Sequence, residues 1–288
     1  GYVFFIINLF FILEGVLFTF MRNYVVTFAK SLVVGSTMLV PGVSGGSMAM
    51  ILGIYTKLIS SVSSFMKNKF RNSLFLTIFL AGSLIGIVSF SKPILHLIET
   101  YPMPMLYFFM GAVAGSVPLM FREAKLTKFS WTVPIYVAIG FLIVLFFEMS
   151  PISNVTTNDA TNWYTYLLLV VAGFITAIAL VLPGISVSYM LLLMGLYDET
   201  MRAASEFYLP FLIPLGFGLV VGILLTTKLL ENLMQNYPQP TFLIILGFIL
   251  GSILELYPGI PQNEEIFICA LTLILGFGII KYISSKDV

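Results

Sequence analysis

Pro41-Gly42-Val43-Ser44-Gly45-Gly46-Ser47 separates two apolar runs at a place where a membrane helix has no reason to stop. Pro41 lacks a backbone donor and the glycines relax the backbone, so the stretch reads as a break in a helix. A helix restarting near Ser47 would aim bare N–H groups into the break, with the hydroxyls of Ser44 and Ser47 beside them. A plain tight turn between two membrane helices would look the same. The stretch recurs, however, as Pro183-Gly184-Ile185-Ser186-Val187-Ser188. Pro41, Gly42, Ser44, Gly53 and Tyr55 pair with Pro183, Gly184, Ser186, Gly195 and Tyr197 at a constant spacing of 142 residues. A turn needs no such copy of its flanks.

Further along, the match continues at a spacing of 136. Gly82, Gly86, Lys92, Tyr101, Pro102, Pro104, Gly111, Gly115 and Ser116 pair with Gly218, Gly222, Lys228, Tyr237, Pro238, Pro240, Gly247, Gly251 and Ser252. The change of spacing places a six-residue difference in the loops after Tyr55 and Tyr197, where length varies readily. The chain therefore reads as an internal duplication.

Composition sets the class. Of the 288 residues, 59% are hydrophobic and 9% charged, against ~45–50% and ~25% in soluble domains. Apolar runs of membrane-spanning length follow one another, which gives an all-α polytopic membrane protein. A net charge of +1 makes no case for nucleic acid. With Cys269 as the one cysteine and His96 as the one histidine, a disulfide framework and a multi-histidine or multi-cysteine metal centre are excluded. Zincin, Walker and Rossmann signatures are missing, so neither metal nor cofactor is expected. No nucleophile has a paired base, so an enzyme is not expected either.

The sequence divides into an extra N-terminal apolar segment, 1–20, and a first membrane repeat, 21–130. A connecting helix and outside loop, 131–163, lead to a second repeat, 164–263, and a C-terminal transmembrane helix, 264–288. No basic residue precedes the segment 1–20, so a secretory signal is not expected there. Lys and Arg gather in the loops 56–72 and 121–130, while 198–208 and 255–265 hold one Arg and no Lys. Basic loops stay in the cytoplasm, so the two halves lie upside down relative to each other, and the helix 131–149 provides the flip. Lys281 and Lys286 return the C-terminus to the cytoplasm. This is an inverted-topology repeat. The runs 24–40 and 165–182 fall at or below the ~20 residues that a crossing takes. Their lengths favour re-entrant helical hairpins over two full crossings, and hairpins from opposite faces would bring both Pro-Gly tips together near the midplane.

Such tips would form an anion site of backbone and hydroxyl groups, with Gly42, Ser44, Gly45, Gly46 and Ser47 from one half and Gly184, Ser186 and Ser188 from the other. Lys92 and Lys228 occupy equivalent places ~13 Å inside their Tyr-Pro turns. They read either as cationic stations for the same anion or as lysines snorkelling to the nearer interface. His96 is a polar group near the interface, and its counterpart Asn232 keeps it outside the duplicated set. Glu99 and Glu231, near helix ends, read as solvated surface.

Met38-Leu39-Val40-Pro41-Gly42-Val43-Ser44-Gly45-Gly46-Ser47-Met48-Ala49, followed by Ile51-Leu52-Gly53-Ile54-Tyr55, resembles the signature of the domain-of-unknown-function 368 family. These are the PopT-type bacterial polyprenyl-phosphate transporters. The resemblance covers residues 24 to about 283; the second motif departs from it at Val187 and Ser188, where the first has two glycines. It implies a multi-pass protein of the bacterial cell membrane that flips undecaprenyl phosphate from the outer to the inner leaflet. That returns the lipid carrier for peptidoglycan and other wall polymers. A secondary transporter of a small water-soluble anion would share the architecture. Neither residues nor resemblance choose between a proton and a sodium gradient as the driving ion, or fix the oligomeric state.

Overall fold

The computed structural model describes residues 21–38, 44–126, 130–149, 163–262 and 265–285. The segment 1–20, Pro41 and Gly42 of the first break, the loop 150–162 and Lys286 lie outside the described residues. Every described element is a helix. Helix α1 (21–37) leads into the first break, and α2 (Gly45–Ile51), α3 (Tyr55–Ser63) and a 3-10 turn (Phe65–Asn68) leave it. Then come α4 (Lys69–Thr100), α5 (Pro102–Glu123) and α6 (Thr132–Met149). Helix α7 (Trp163–Val181) leads into the second break, followed by α8 (Val187–Leu193) and α9 (Tyr197–Ser205). Helices α10 (Leu209–Asn236), α11 (Pro238–Leu256) and α12 (Glu265–Ser285) complete the chain.

Five helices, α4, α5, α7, α10 and α12, are long and apolar enough to cross a membrane; α6 and α11 contribute shorter apolar stretches. No more than 44% of the apolar window of any of the five is buried, and Phe70, Val88, Phe217 and Phe267 point outward. Exposure on that scale is stable only in lipid. The protein is a multi-pass membrane protein.

The chain that leaves each break is itself interrupted, between α2 and α3 and between α8 and α9. Gly53 and Gly195 adopt left-handed φ values of +71° and +68°. In the first, the N–H groups of Gly53 and Ile54 donate to the carbonyls of Met50 and Ala49. In the second, those of Gly195 and Leu196 donate to Leu192 and Leu191. This is the glycine-dependent helix stop that satisfies the last carbonyls, and hydropathy does not register it. The Tyr-Pro turns also match, with Tyr101 at φ −130°, ψ 62° and Tyr237 at φ −132°, ψ 58°. A proline begins the helix after each, where its missing N–H costs nothing.

Glycines let helix backbones touch. A Cβ on Gly82 would lie 2.9 Å from the Phe28 carbonyl oxygen, and one on Gly86 2.1 Å from that of Leu32, which closes α4 on α1. Gly218 and Gly222 do the same for α10 on α7, at 2.0 Å from the Val170 oxygen and 3.0 Å from the Phe174 oxygen. Helix α6 does not pack on its chain neighbour in this way. A Cβ on Gly140 would lie 2.1 Å from the Ile244 oxygen of α11, while one on Gly276 of α12 would lie 2.1 Å from the Phe108 oxygen of α5. The core lies between α2, α5 and α11, where Ala49, Met50, Ile51, Met120, Leu243, Leu246 and Ile249 are buried. The short helix after the first break is thus at the centre of the protein.

Candidate functional site

The two breaks meet. Ser44 caps α2 in extended conformation, at φ −82° and ψ 149°. Its Oγ accepts from the Ser47 N–H at 3.0 Å, and the two hydroxyls are 2.8 Å apart. The same Oγ accepts from the N–H of Gly184, in the other half, at 3.3 Å. A Cβ on Gly46 would lie 3.3 Å from Pro183 Cα. The Tyr55 hydroxyl donates to the Val181 carbonyl at 2.7 Å, so the tyrosine of the first repeated motif holds the end of the helix entering the second break. Gly184 has φ +87° and sits where a Cβ would be 2.4 Å from the Phe248 oxygen. Only glycine fits there.

Ser47, Pro183 and Gly184 are buried, Ser44, Gly45, Gly46 and Ser186 half-buried, and Ser188 is exposed on α8. Helix α2 starts at Gly45, two residues before the Ser47 expected, because Ser44 is the capping residue. Helices α2 and α8 have seven residues each, so their dipoles are short. One of the first amides of α2 is already taken by Ser44. The polar content of the tips is therefore a serine pair and nearby amides more than two helix dipoles.

Lys92 and Lys228 are exposed on α4 and α10. Lys228 lines an open cavity with Ser63, Ser64, Glu231 and Gln235. Glu231 is not the solvated helix-end residue its position suggests. It is half-buried and accepts from the hydroxyls of Ser63 and Ser64, the latter at 2.8 Å. These bonds tie the end of α3 to α10 across more than 160 residues of sequence, a distance at which no local pattern could announce them. Beside them the basic loop folds into a cavity of about 240 Å3 that collects Lys57, Lys67 and Arg71. The Lys57 Nζ stands 4.6 Å from the Phe75 ring centre and 5.9 Å from that of Tyr24. Partial burial there, and then the Arg71 charge, lower the Lys57 pKa from its ordinary value.

Comparison with known proteins agrees with a transporter. The family model described as VCA0040-like, undecaprenyl phosphate translocase-like, matches residues 34–268. The polyprenyl-phosphate transporter of Staphylococcus aureus (strain NCTC 8325 / PS 47) is 31% identical over 260 residues, covering 86% of this chain and 92% of that protein. The polyprenyl-phosphate transporter of Vibrio cholerae serotype O1 (strain ATCC 39315 / El Tor Inaba N16961) is 32% identical over 254 residues, covering 82% and 78%. No solved structure matches. The repeated Pro-Gly motif lies inside the matched span, and the chain belongs to the VCA0040-like family of undecaprenyl phosphate translocase-like proteins.

Proposed function

We propose that the protein carries undecaprenyl phosphate, or a close polyprenyl phosphate, from the outer to the inner leaflet of the bacterial cytoplasmic membrane. It thereby returns the carrier for cell-wall polymers, with a proton or sodium gradient as the driving ion. Both relatives bear the name polyprenyl-phosphate transporter. The observation that carries the reading is the contact between the two breaks, Ser44 Oγ with the Gly184 N–H at 3.3 Å. Irregular backbone inside a membrane protein is tolerated where protein buries it or where it lines a path. On this reading Gly42, Ser44, Gly45, Gly46, Ser47, Gly184, Ser186 and Ser188 line the crossing point for the phosphate, and Lys92 and Lys228 flank it towards opposite faces.

The reading includes an inverted duplication with re-entrant hairpins at α1–α3 and α7–α9. Packing supports it. Phe28 and Val170, like Leu32 and Phe174, are 142 apart, and the glycines they touch, Gly82 with Gly218 and Gly86 with Gly222, are 136 apart. The crossed contacts extend the unit. Gly140-Phe141 precedes Gly276-Phe277 by 136, as Phe108 precedes Ile244. Helix α6 then belongs to the first repeat, α12 is its copy, and each packs on the other half. Three crossings per unit, α4, α5 and α6, invert the second unit, and the basic C-terminal end falls in the cytoplasm.

The test is transport in proteoliposomes. Fluorescent polyprenyl phosphate in one leaflet is followed by its loss of access to an impermeant phosphatase. Wild-type protein should protect the lipid faster than protein-free vesicles do, and Ser44→Ala should slow it. A wild-type rate equal to that of empty vesicles refutes the proposal.

A further inference from the structure

Two cavities occupy matching places in the two halves. One, of about 240 Å3, gathers Lys57, Lys67, Arg71, Ser64 and Glu231 against Phe75. The other, of about 330 Å3, gathers Glu199, Arg202 and Glu206 against Tyr166 and Phe211. Their walls correspond at the spacings that relate the halves, Lys57 with Glu199 at 142 and Phe75 with Phe211 at 136, and Tyr24, whose ring stands 5.9 Å from Lys57 Nζ, pairs with Tyr166 at 142. The aromatic frame is kept and the charge is not. Three cations and one carboxylate face the first cavity, one cation and two carboxylates the second.

The carboxylate of Glu231 is engaged by Ser63, Ser64 and Gln235. Among the described residues, the three cations around it form no ion pair. Like charges gathered in a concave site raise its potential, and an anion relieves their repulsion. The shape says which anion. A third cavity, of about 660 Å3, shares Ser64, Lys67 and Glu231 with the first and adds Met66, Leu225 and Leu229 beside the polar Ser63, Lys228, Asn232 and Gln235. Met66, Leu225 and Leu229 are exposed on the outer surface of the protein. The basic seat is therefore continuous with an apolar face.

We propose that the Lys57–Lys67–Arg71 cavity seats a phosphate monoester whose hydrocarbon chain leaves along Met66, Leu225 and Leu229, and that its counterpart at Glu199 does not. The choice of a lipid chain rests on the transport reading above; the anion seat rests on the charges alone. The site is separate from the Pro-Gly tips. In the proposed topology it lies at the cytoplasmic end, and the two ends of the pathway are unequal.

The test uses the full chain in nanodiscs of neutral lipid, titrated by calorimetry with farnesyl phosphate and with inorganic phosphate, empty discs subtracted. Lys57→Gln/Arg71→Gln should weaken farnesyl phosphate binding by ~10-fold or more, the loss expected for two charge-assisted contacts. Glu231→Gln keeps an acceptor for the serines and removes the opposing charge, so it should bind more tightly. Leu229→Ser should weaken farnesyl phosphate and leave inorganic phosphate unchanged if a lipid headgroup is the ligand. Equal effects of the charge variants on both ligands, with Leu229→Ser silent, make free phosphate the ligand and overturn the lipid assignment. Charge variants that bind farnesyl phosphate within twofold of wild type overturn the seat, as does a Glu231→Gln protein that binds no more tightly. A protein that transports while its charge variants bind normally refutes the seat and spares the transport reading. One that binds here but moves no lipid does the reverse.

Discussion

Replacing Gly184 by alanine adds one methyl group where the backbone leaves no room. At φ +87°, a side chain costs roughly 1–2 kcal/mol. The new Cβ would stand 2.4 Å from the Phe248 oxygen and 2.5 Å from its carbon, so something must move. Helix α11 resists, because Gly247 already brings it within 2.2 Å, on the same Cβ measure, of the Val137 oxygen of α6. The tip has to retreat instead, at about 1–3 kcal/mol for overpacking. Retreat also stretches the Gly184–Ser44 hydrogen bond, worth about 0.5–1.5 kcal/mol. The expected loss is roughly 3–6 kcal/mol, with transport abolished. The control is Gly216→Ala: no atom lies within 4 Å of its Cβ, and alanine in a helix interior should gain about 0.5–1 kcal/mol. Thermal unfolding in detergent, read beside transport in proteoliposomes, separates the two. A Gly184→Ala protein that melts and transports like wild type would refute the account of the tips.

Three further outcomes follow from the same geometry. Gly46→Val should cost about 1–3 kcal/mol by overpacking and block transport, since its Cβ faces Pro183 backbone at 3.3 Å; Gly45→Ala meets only the movable Met38 side chain, at 3.2 Å, and should melt like wild type. In a Cys269→Ser background, single cysteines at Ser64 and Asn158 should label from opposite sides with an impermeant thiol reagent, and labelling from one side removes the inverted repeat. Lys92→Gln should weaken phosphate capture at one face and Lys228→Gln slow passage at the other; normal transport in both and in the double variant leaves the two lysines as snorkelling residues.

Much of the fold is legible in the sequence because membrane helices announce themselves by run length, and glycine pairs announce close crossings. Gly82, Gly86, Gly218 and Gly222, paired by spacing alone, are the residues on which α4 and α10 close against α1 and α7. The two breaks are likewise legible as repeated Pro-Gly stretches, and in the fold Ser44 of the first meets Gly184 of the second. Other features have no local signature. Gly53 and Gly195 sit within apolar runs, and only their φ values show that each run stops there. The crossed packing of α6 and α12 depends on partners far away in the chain, although the repeated Gly-Phe at 140–141 and 276–277 carries a trace of it. Glu231 reads as surface because its serine partners lie on another helix.

The unequal cavities bear on direction. A phosphate monoester carries about −1.5 to −2 charges at neutral pH. Moving it inward against 100 mV, inside negative, costs about 3.5–4.6 kcal/mol at ~2.3 kcal/mol per charge. Two identical halves would offer the phosphate equal seats at both faces. In this chain the aromatic frame of the seat is duplicated while Lys57 is answered by Glu199, so one face holds the anion better than the other. A seat cannot change the overall free energy of transport, which belongs to the driving ion; it lowers one intermediate along the way. Held too tightly, the phosphate would not leave. Glu231 among the three cations tempers that hold. On the proposed inward direction, Glu231→Gln should therefore bind farnesyl phosphate more tightly and yet release polyprenyl phosphate more slowly than wild type.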